Sequence, residues 1–338
     1  MDCFLAYDVG TSSVKSILVD TAGTIHASAI EEYPLQMPNP GWVEQNPEDY
    51  WNAICKATKH LVADSSVALK DIKGIVFTTQ AMGIIPVNKA GEILHPNISW
   101  VDGRAEKQAL SIMRKLGGKT IFKKIIGVEI TGNDVIPKLI WLKENRPEIF
   151  KDTYKILDVN GYLRYKCTDR MAAEWSGACS YAFNLKKKDW ERILFSFSGV
   201  GTDKLPDLVR SIDEAGKLTH QAAIEMGLMA GIPVFGGCDD TQSAAVGTTA
   251  IKEGEAHIYT GTSAWVGVAT SKDRGFKNGA YSLQSADPNT NIVVCITESA
   301  GVNTEWLLSN FYAHEKQVMS TAHLFELLEN NDVYRVMY

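Results

Sequence analysis

Two stretches far apart in this chain spell nearly the same thing. Tyr7 to Ser13 reads YDVGTSS and Tyr259 to Trp265 reads YTGTSAW, and each places Gly-Thr-Ser straight after a short apolar run. Gly-Thr-Ser alone is an ordinary turn. Repeated behind two strand-like runs, with Asp8 and Lys15 beside the first copy, it reads as a pair of turns that grip one polyphosphate. Glycine lets backbone amides approach phosphate oxygens, and the neighbouring hydroxyls add donors.

At 338 residues the chain exceeds the ordinary size of one domain and is expected to form two. Hydrophobic residues make up 45% and charged residues 22%, a composition that supports a large core and argues against a disordered or fibrous protein. No apolar run reaches membrane-spanning length, and Met1-Asp2-Cys3-Phe4 lacks the basic start of a secretory signal. A cytoplasmic protein without membrane contact is expected. A formal charge of -6, with no basic run longer than Lys186 to Lys188, gives nucleic acid little to hold. The six cysteines include no C-x-x-C pair, so neither a zinc site nor a disulfide framework is suggested. His257, beside the second turn, lies in an apolar strand and is read as structural.

Along the chain, Phe4 to Tyr7 and Ser16 to Val19 read as strands, and Asp20-Thr21-Ala22-Gly23 as a turn that folds the next segment back. Asn46 as cap, Pro47 at the first helical position and acids at Glu48 and Asp49 mark a helix start. Trp51, Ile54, Cys55, Leu61 and Val62 form its buried face. Gly74 to Thr78 and Ile84 to Val87 read as a second strand pair, with a turn at Asn88 to Gly91. Arg104 to about Glu148 reads as helices capping the sheet. The strand-like IPVFGG at Ile232 to Gly237 meets Asp239 and Asp240, then a small-residue stretch from Ser243 to Gly247 suited to close packing. A new strand and turn begin at Ile251, which places a domain boundary near Thr248 and a hinge across Thr248 to Glu253.

Two phosphate-gripping turns with an acid pair between them suit phosphoryl transfer. Its loose transition state needs positioning and charge neutralisation more than covalent help, so amide-rich turns, a magnesium ion and one carboxylate near the acceptor hydroxyl suffice. An aspartate, with an ordinary pKa of about 3.9, is ionised and ready to accept a proton at neutral pH. Asp240 is the candidate base.

The motifs resemble the FGGY family of carbohydrate kinases from Tyr7 to about Leu308. The most specific pieces are DVGTSSVK at Asp8 to Lys15, PGWVEQNPEDYW at Pro40 to Trp51, SWVDGRA at Ser99 to Ala105, GGCDDTQSAAVG at Gly236 to Gly247, and YTGTS at Tyr259 to Ser263. The wording is closest to xylulose kinases, with glycerol and gluconate kinases sharing much of it. The resemblance implies an α/β chain with the actin-like, ribonuclease-H-like ATPase fold, divided into residues 1–248 and 249–338. It also implies ATP and Mg2+ as cofactors, a small sugar or polyol as partner, homodimer formation, and D-xylulose as the first acceptor to test.

Position by position, the resemblance assigns Asp8 to magnesium placement and Gly10, Thr11 and Ser12 to the first phosphate turn. Lys15 stands where some relatives have arginine. Gly261 and Thr262 match the second turn. Asp240, seven residues before Gly247, matches the catalytic aspartate, which also faces the metal; an insertion would give that role to Asp239. Trp100 matches a residue that packs on the acceptor sugar, with Asp102 and Arg104 supporting or touching its hydroxyls.

Two departures stand out. Xylulose kinases commonly have Gln-Met-His-Gly where this chain has Gln80-Ala81-Met82-Gly83, so Met82 either makes the sugar-facing wall more apolar or is a core side chain. The family's late adenosine motif, Gly-Gly-Gly-x-x-Ser, does not occur in these 338 residues. The second domain is therefore expected to be partial, and two further readings stand beside the kinase. One is a sugar-binding or regulatory module without catalysis; the other is a nucleotide-gated interaction protein of the actin or chaperone kind, against which the sugar-side motifs around Trp42 and Trp100 argue.

Overall fold

The structure is a computed structural model that describes residues 1–115, 117–126, 130–261, 264–273, 276–277, 279–297 and 300–312. Its first layer grows from an antiparallel meander of β1 (Cys3–Val9), β2 (Ser13–Asp20) and β3 (Ile25–Glu32). Strict alternation buries Cys3, Leu5, Tyr7 and Val9 on one face of β1. The link from β2 to β3 is made by Asp20, whose Oδ1 accepts from the amides of Ala22 and Thr24, and by Gly23 at φ +84°. On its other side β1 pairs in parallel with Ile72–Thr79, which in turn pairs in parallel with Pro233–Phe235 and Cys238–Asp239. Glu214–Lys217 closes that edge in antiparallel fashion.

Helix α1 (Pro47–Asp64) starts where the sequence signals predict, with Asn46 Oδ1 accepting from the Glu48 amide at 3.2 Å. Trp51, Ile54, Cys55 and Leu61 are buried and Val62 is partly so, in one cluster with the sheet residues Leu5, Tyr7 and Leu18. Burying each large apolar side chain stabilises the fold by about 1.5–3 kcal/mol. Thr58 locks α1 to β1 by a 2.6 Å hydrogen bond with the Tyr7 hydroxyl.

Ile85–Val87 does not pair with the preceding strand as the sequence suggested; it pairs with Lys155–Leu157. The helices after Arg104 have a core of their own. Glu106–Lys115, Val135–Asn145, Trp175–Tyr181 and Arg192–Ser198 contribute Ala109, Leu139, Trp141, Leu142, Ala178 or Phe195 to the buried interior, most of them in a cluster with Ile84 and Ile98. Aromatic side chains help to fill it, Trp42 edge-on to Trp141 at 5.1 Å among them.

A second, antiparallel sheet has the order Ala256–Thr260, Ala264–Thr270, Asn291–Thr297, Ala280–Gln284, Phe276–Lys277. Trp265, Ile292 and Val294 pack on Ala245 of the helix Asp240–Gly247, whose small residues permit this approach. The opposite face carries Ile258, 71% exposed, beside Val266, 43% exposed. No helix among the described residues is long and apolar enough to cross a membrane.

Candidate active site

Parallel pairing brings the acids together. In register, Asp8 lies opposite Thr78 and Val9 opposite Thr79, while Cys238 and Asp239 take the same two partners from the other side. Asp8, Gln80 and the Asp239-Asp240 pair therefore leave the sheet at one end, where ligands of parallel sheets gather.

The two adjacent aspartates have opposite surroundings. Asp239 is 5% exposed, and burial beside Glu174, Asp158 and Asp240 drives its carboxyl well above the ordinary range. Its Oδ1 has no hydrogen-bond partner among the described residues. Asp240 opens the following helix and is exposed. Even so, the surrounding protein withdraws it enough from solvent to raise its carboxyl; the Thr241 amide, donating at 2.7 Å, acts in the other direction, and the charge of Asp8 raises it further.

Asp8 meets Lys15 across β1 and β2 at 3.4 Å, with both side chains in solvent. Asp8 and Asp240 supply hard oxygen donors whose repulsion a divalent cation relieves, so the pair fits Mg2+ bound through few carboxylates, with phosphate and water completing the shell. No cluster of three or more metal-ligating side chains occurs among the described residues.

The first turn is held chiefly through its carbonyls. Gly10 N donates to Ser13 O at 3.0 Å, and the Tyr33 amide donates to Ser12 O at 3.1 Å. The Tyr33 hydroxyl donates to Gly10 O at 2.6 Å and Ser13 O at 2.9 Å, and Gln45 Nε2 donates to Thr11 O at 2.8 Å. With the carbonyls of Gly10, Thr11, Ser12 and Ser13 engaged on the protein side and the Gly10 amide spent within the turn, the Thr11 and Ser12 amides and the hydroxyls are what the turn could offer a phosphate. Tyr33 and Gln45 escaped the sequence reading. Gln45 lies inside the PGWVEQNPEDYW motif, which was the available signal.

In the second turn, Gly261 O accepts from the Gly301 amide at 2.8 Å. Thr262 lies outside the described residues. The flanking strands are clamped by Tyr259 stacked on Trp265 at 3.8 Å. Trp265 Nε1 donates to His257 Nε2 at 3.2 Å, and burial lowers the imidazole pKa, so this histidine is a neutral packing partner.

Among the residues expected to meet the acceptor, Trp100 is 39% exposed and donates from Nε1 to Thr11 Oγ1 at 3.0 Å. Gln80 turns inward: its Nε2 donates to Gln45 Oε1 at 3.0 Å and to the Tyr50 hydroxyl at 3.4 Å. It thus braces the phosphate turn through Gln45. Met82 packs partly buried against the helical core, with φ at +60°.

Asp102 and Arg104 are expected to support or touch sugar hydroxyls; with both side chains 0% exposed, their placement fits support rather than direct contact. Asp102 accepts from the Val43 amide at 2.5 Å and pairs with Arg104 at 2.7 Å. The guanidinium reaches Glu44 at 2.7 Å and lies 4.0 Å above the Trp42 ring. They are the foundation under Trp100 rather than its neighbours on the ligand.

Residues 3–247 match the N-terminal domain of the FGGY family of carbohydrate kinases. The chain belongs to that family. It is 30% identical over 322 residues to the xylulose kinase of Bacillus subtilis (strain 168), covering 93% of this chain and 63% of that protein. It is 29% identical over 313 residues to the xylulose kinase of Escherichia coli (strain K12), covering 90% and 62% respectively. A solved xylulose kinase from Brucella ovis superposes with a TM-score of 0.82 at 27% identity, over 91% of this chain and 63% of that one. The glycerol kinase of Plasmodium falciparum with ADP, at 21% identity, shares the fold with a TM-score of 0.83 over 98% of this chain and 67% of that one. The fold of this FGGY chain is thus the actin-like ATPase fold, and the chain spans about 63% of the length of the xylulose kinases it matches.

Proposed function

We propose that this FGGY chain carries the acceptor site and catalytic base of an ATP-dependent carbohydrate kinase, with D-xylulose converted to D-xylulose 5-phosphate as the favoured reaction. The observation that carries the reading is Asp240, exposed at the strand ends within the electrostatic reach of Asp8, while Asp239 is sealed inside. Asp240 accepts the proton of the acceptor hydroxyl as that oxygen bonds to the γ-phosphorus. The bond from the γ-phosphorus to the bridging oxygen breaks, and ADP leaves with that electron pair. Bound at Asp8 and Asp240, Mg2+ supplies neutralisation of the phosphate charge. Thr11, Ser12 and Lys15 on one side, with Gly261 and Thr262 on the other, hold the phosphates. Trp100 offers the sugar an apolar face, and Met82 lines the wall beside it.

We take the domain boundary at Thr248, a reading supported by Thr249, which takes φ +61° between the helix Asp240–Gly247 and the second sheet. A cytoplasmic small-molecule enzyme fits this reading. A second reading is a sugar-binding or regulatory module without turnover.

A thermal-shift panel of pentuloses, polyols and aldonates, each with and without Mg-ATP, tests both, since a ligand raises the midpoint by mass action. A shift with one sugar that grows with Mg-ATP supports the kinase. A sugar shift indifferent to nucleotide supports the binding module, and no shift with any sugar sinks both.

A further inference from the structure

Lys138 sits on the helix Val135–Asn145 with 0% exposure. A buried ammonium is costly unless hydrogen-bonded, and this one donates to Met82 O at 3.1 Å and Ser99 O at 2.8 Å. Asp102 and Asp134 favour its charge, Arg104 opposes it, and burial pulls it down to about 7. The two carbonyls belong to separate segments, Gln80–Gly83 and Ser99–Trp100, which carry the residues assigned to the acceptor wall. A methionine or leucine would fill the same volume without binding either.

In a trans peptide the C=O and N–H point in opposite directions. Anchoring Met82 O and Ser99 O on Lys138 therefore turns the amides of Gly83 and Trp100 away from the helix. The Gly83 carbonyl is also tied down, accepting from the Tyr181 hydroxyl at 2.5 Å. Met82 holds its φ of +60° within this clamp, a conformation that non-glycine residues keep only when their surroundings impose it.

We infer that Lys138 is a positioning residue for the acceptor, holding the Met82 and Ser99 carbonyls so that the Gly83 and Trp100 amides donate to hydroxyl oxygens of the bound polyol. This rests on the kinase reading. It assigns recognition to backbone donors, which explains how an apolar Met82 can stand in a polyol-binding wall.

The test uses the full chain with the sugar selected from the thermal-shift panel, hydrogen exchange of individual amides and titration calorimetry. In the wild type, sugar is expected to slow exchange at Gly83 and Trp100. Lys138→Met is expected to bind the sugar at least tenfold more weakly and to lose that protection, while Lys138→Arg, which keeps donors, recovers part of both. Absence of sugar-induced protection at these amides in the wild type overturns the inference even if no variant folds. Equal sugar affinity in wild type and Lys138→Met also overturns it and leaves the kinase reading standing. Failure of every polyol to bind the wild type instead brings down the kinase reading, and this inference with it.

Discussion

The indole N–H of Trp100 donates to the Thr11 hydroxyl at 3.0 Å, so the proposed acceptor wall and the proposed first phosphate turn share one hydrogen bond. As acceptor from Trp100, the Thr11 oxygen has its own hydrogen free to turn toward a phosphate oxygen. Trp100→Phe keeps an aromatic face and deletes only the bond, worth about 1 kcal/mol net, or about fivefold. The dependence of sugar affinity on Mg-ATP is expected to weaken by about that factor, with an equal effect of sugar on nucleotide affinity. Calorimetric titration of each ligand with and without the other checks it, and unchanged coupling rejects the link.

Asp240→Asn is expected to lower kcat by about 10²–10⁴, the usual worth of a general base, with sugar affinity retained. Asp239→Asn is expected to preserve turnover, because the amide mimics a carboxyl held in its protonated form. A phosphorylation assay of both variants decides which aspartate is the base; the opposite pattern reassigns the role to Asp239.

The same pair predicts a pH effect on stability. The pKa of Asp239 is raised in the folded chain, so its contribution is fully present below the unfolded value of about 3.9 and is lost as pH rises toward the folded one. The slope for one proton is at most about 1.4 kcal/mol per pH unit. Asp239→Asn therefore gains on the wild type as pH rises from 4 toward neutrality, which urea unfolding at a series of pH values measures. A constant difference counts against the buried-acid assignment.

Tyr33→Phe removes the hydroxyl that binds Gly10 O and Ser13 O, at an expected cost of about 1–2 kcal/mol in stability. Nucleotide affinity should fall several-fold while sugar affinity holds. Arg104→Met, which strands Asp102 and Glu44 in the interior, should cost more, about 3–5 kcal/mol by chemical unfolding.

What the sequence made legible was local. Asn46 and Pro47 announced α1, Asp20 to Gly23 announced the β2–β3 turn, and the Gly-Thr-Ser repeat marked both hairpins, since each signal is complete within a few residues. Partners chosen through space were not legible. Nothing near Ile85 says that its strand pairs with Lys155–Leu157, and the SWVDGRA motif does not reveal that Asp102 and Arg104 face inward to Glu44 and Trp42. Lys138 and Tyr33 were invisible for the same reason, since their partners lie 39 and 56 or 20 and 23 positions away.

The backbone at Met82 also bounds which residues can stand there. At φ +60° the position accepts glycine, and tolerates asparagine, aspartate or histidine better than most residues, whereas valine, isoleucine and threonine would be strained there. Substitutions at this position are thus filtered by the backbone before any contact is tried, and histidine, which the resemblance to xylulose kinases puts there, is one that passes. A library restricted to those few residues at position 82 probes the proposed acceptor wall without straining the backbone.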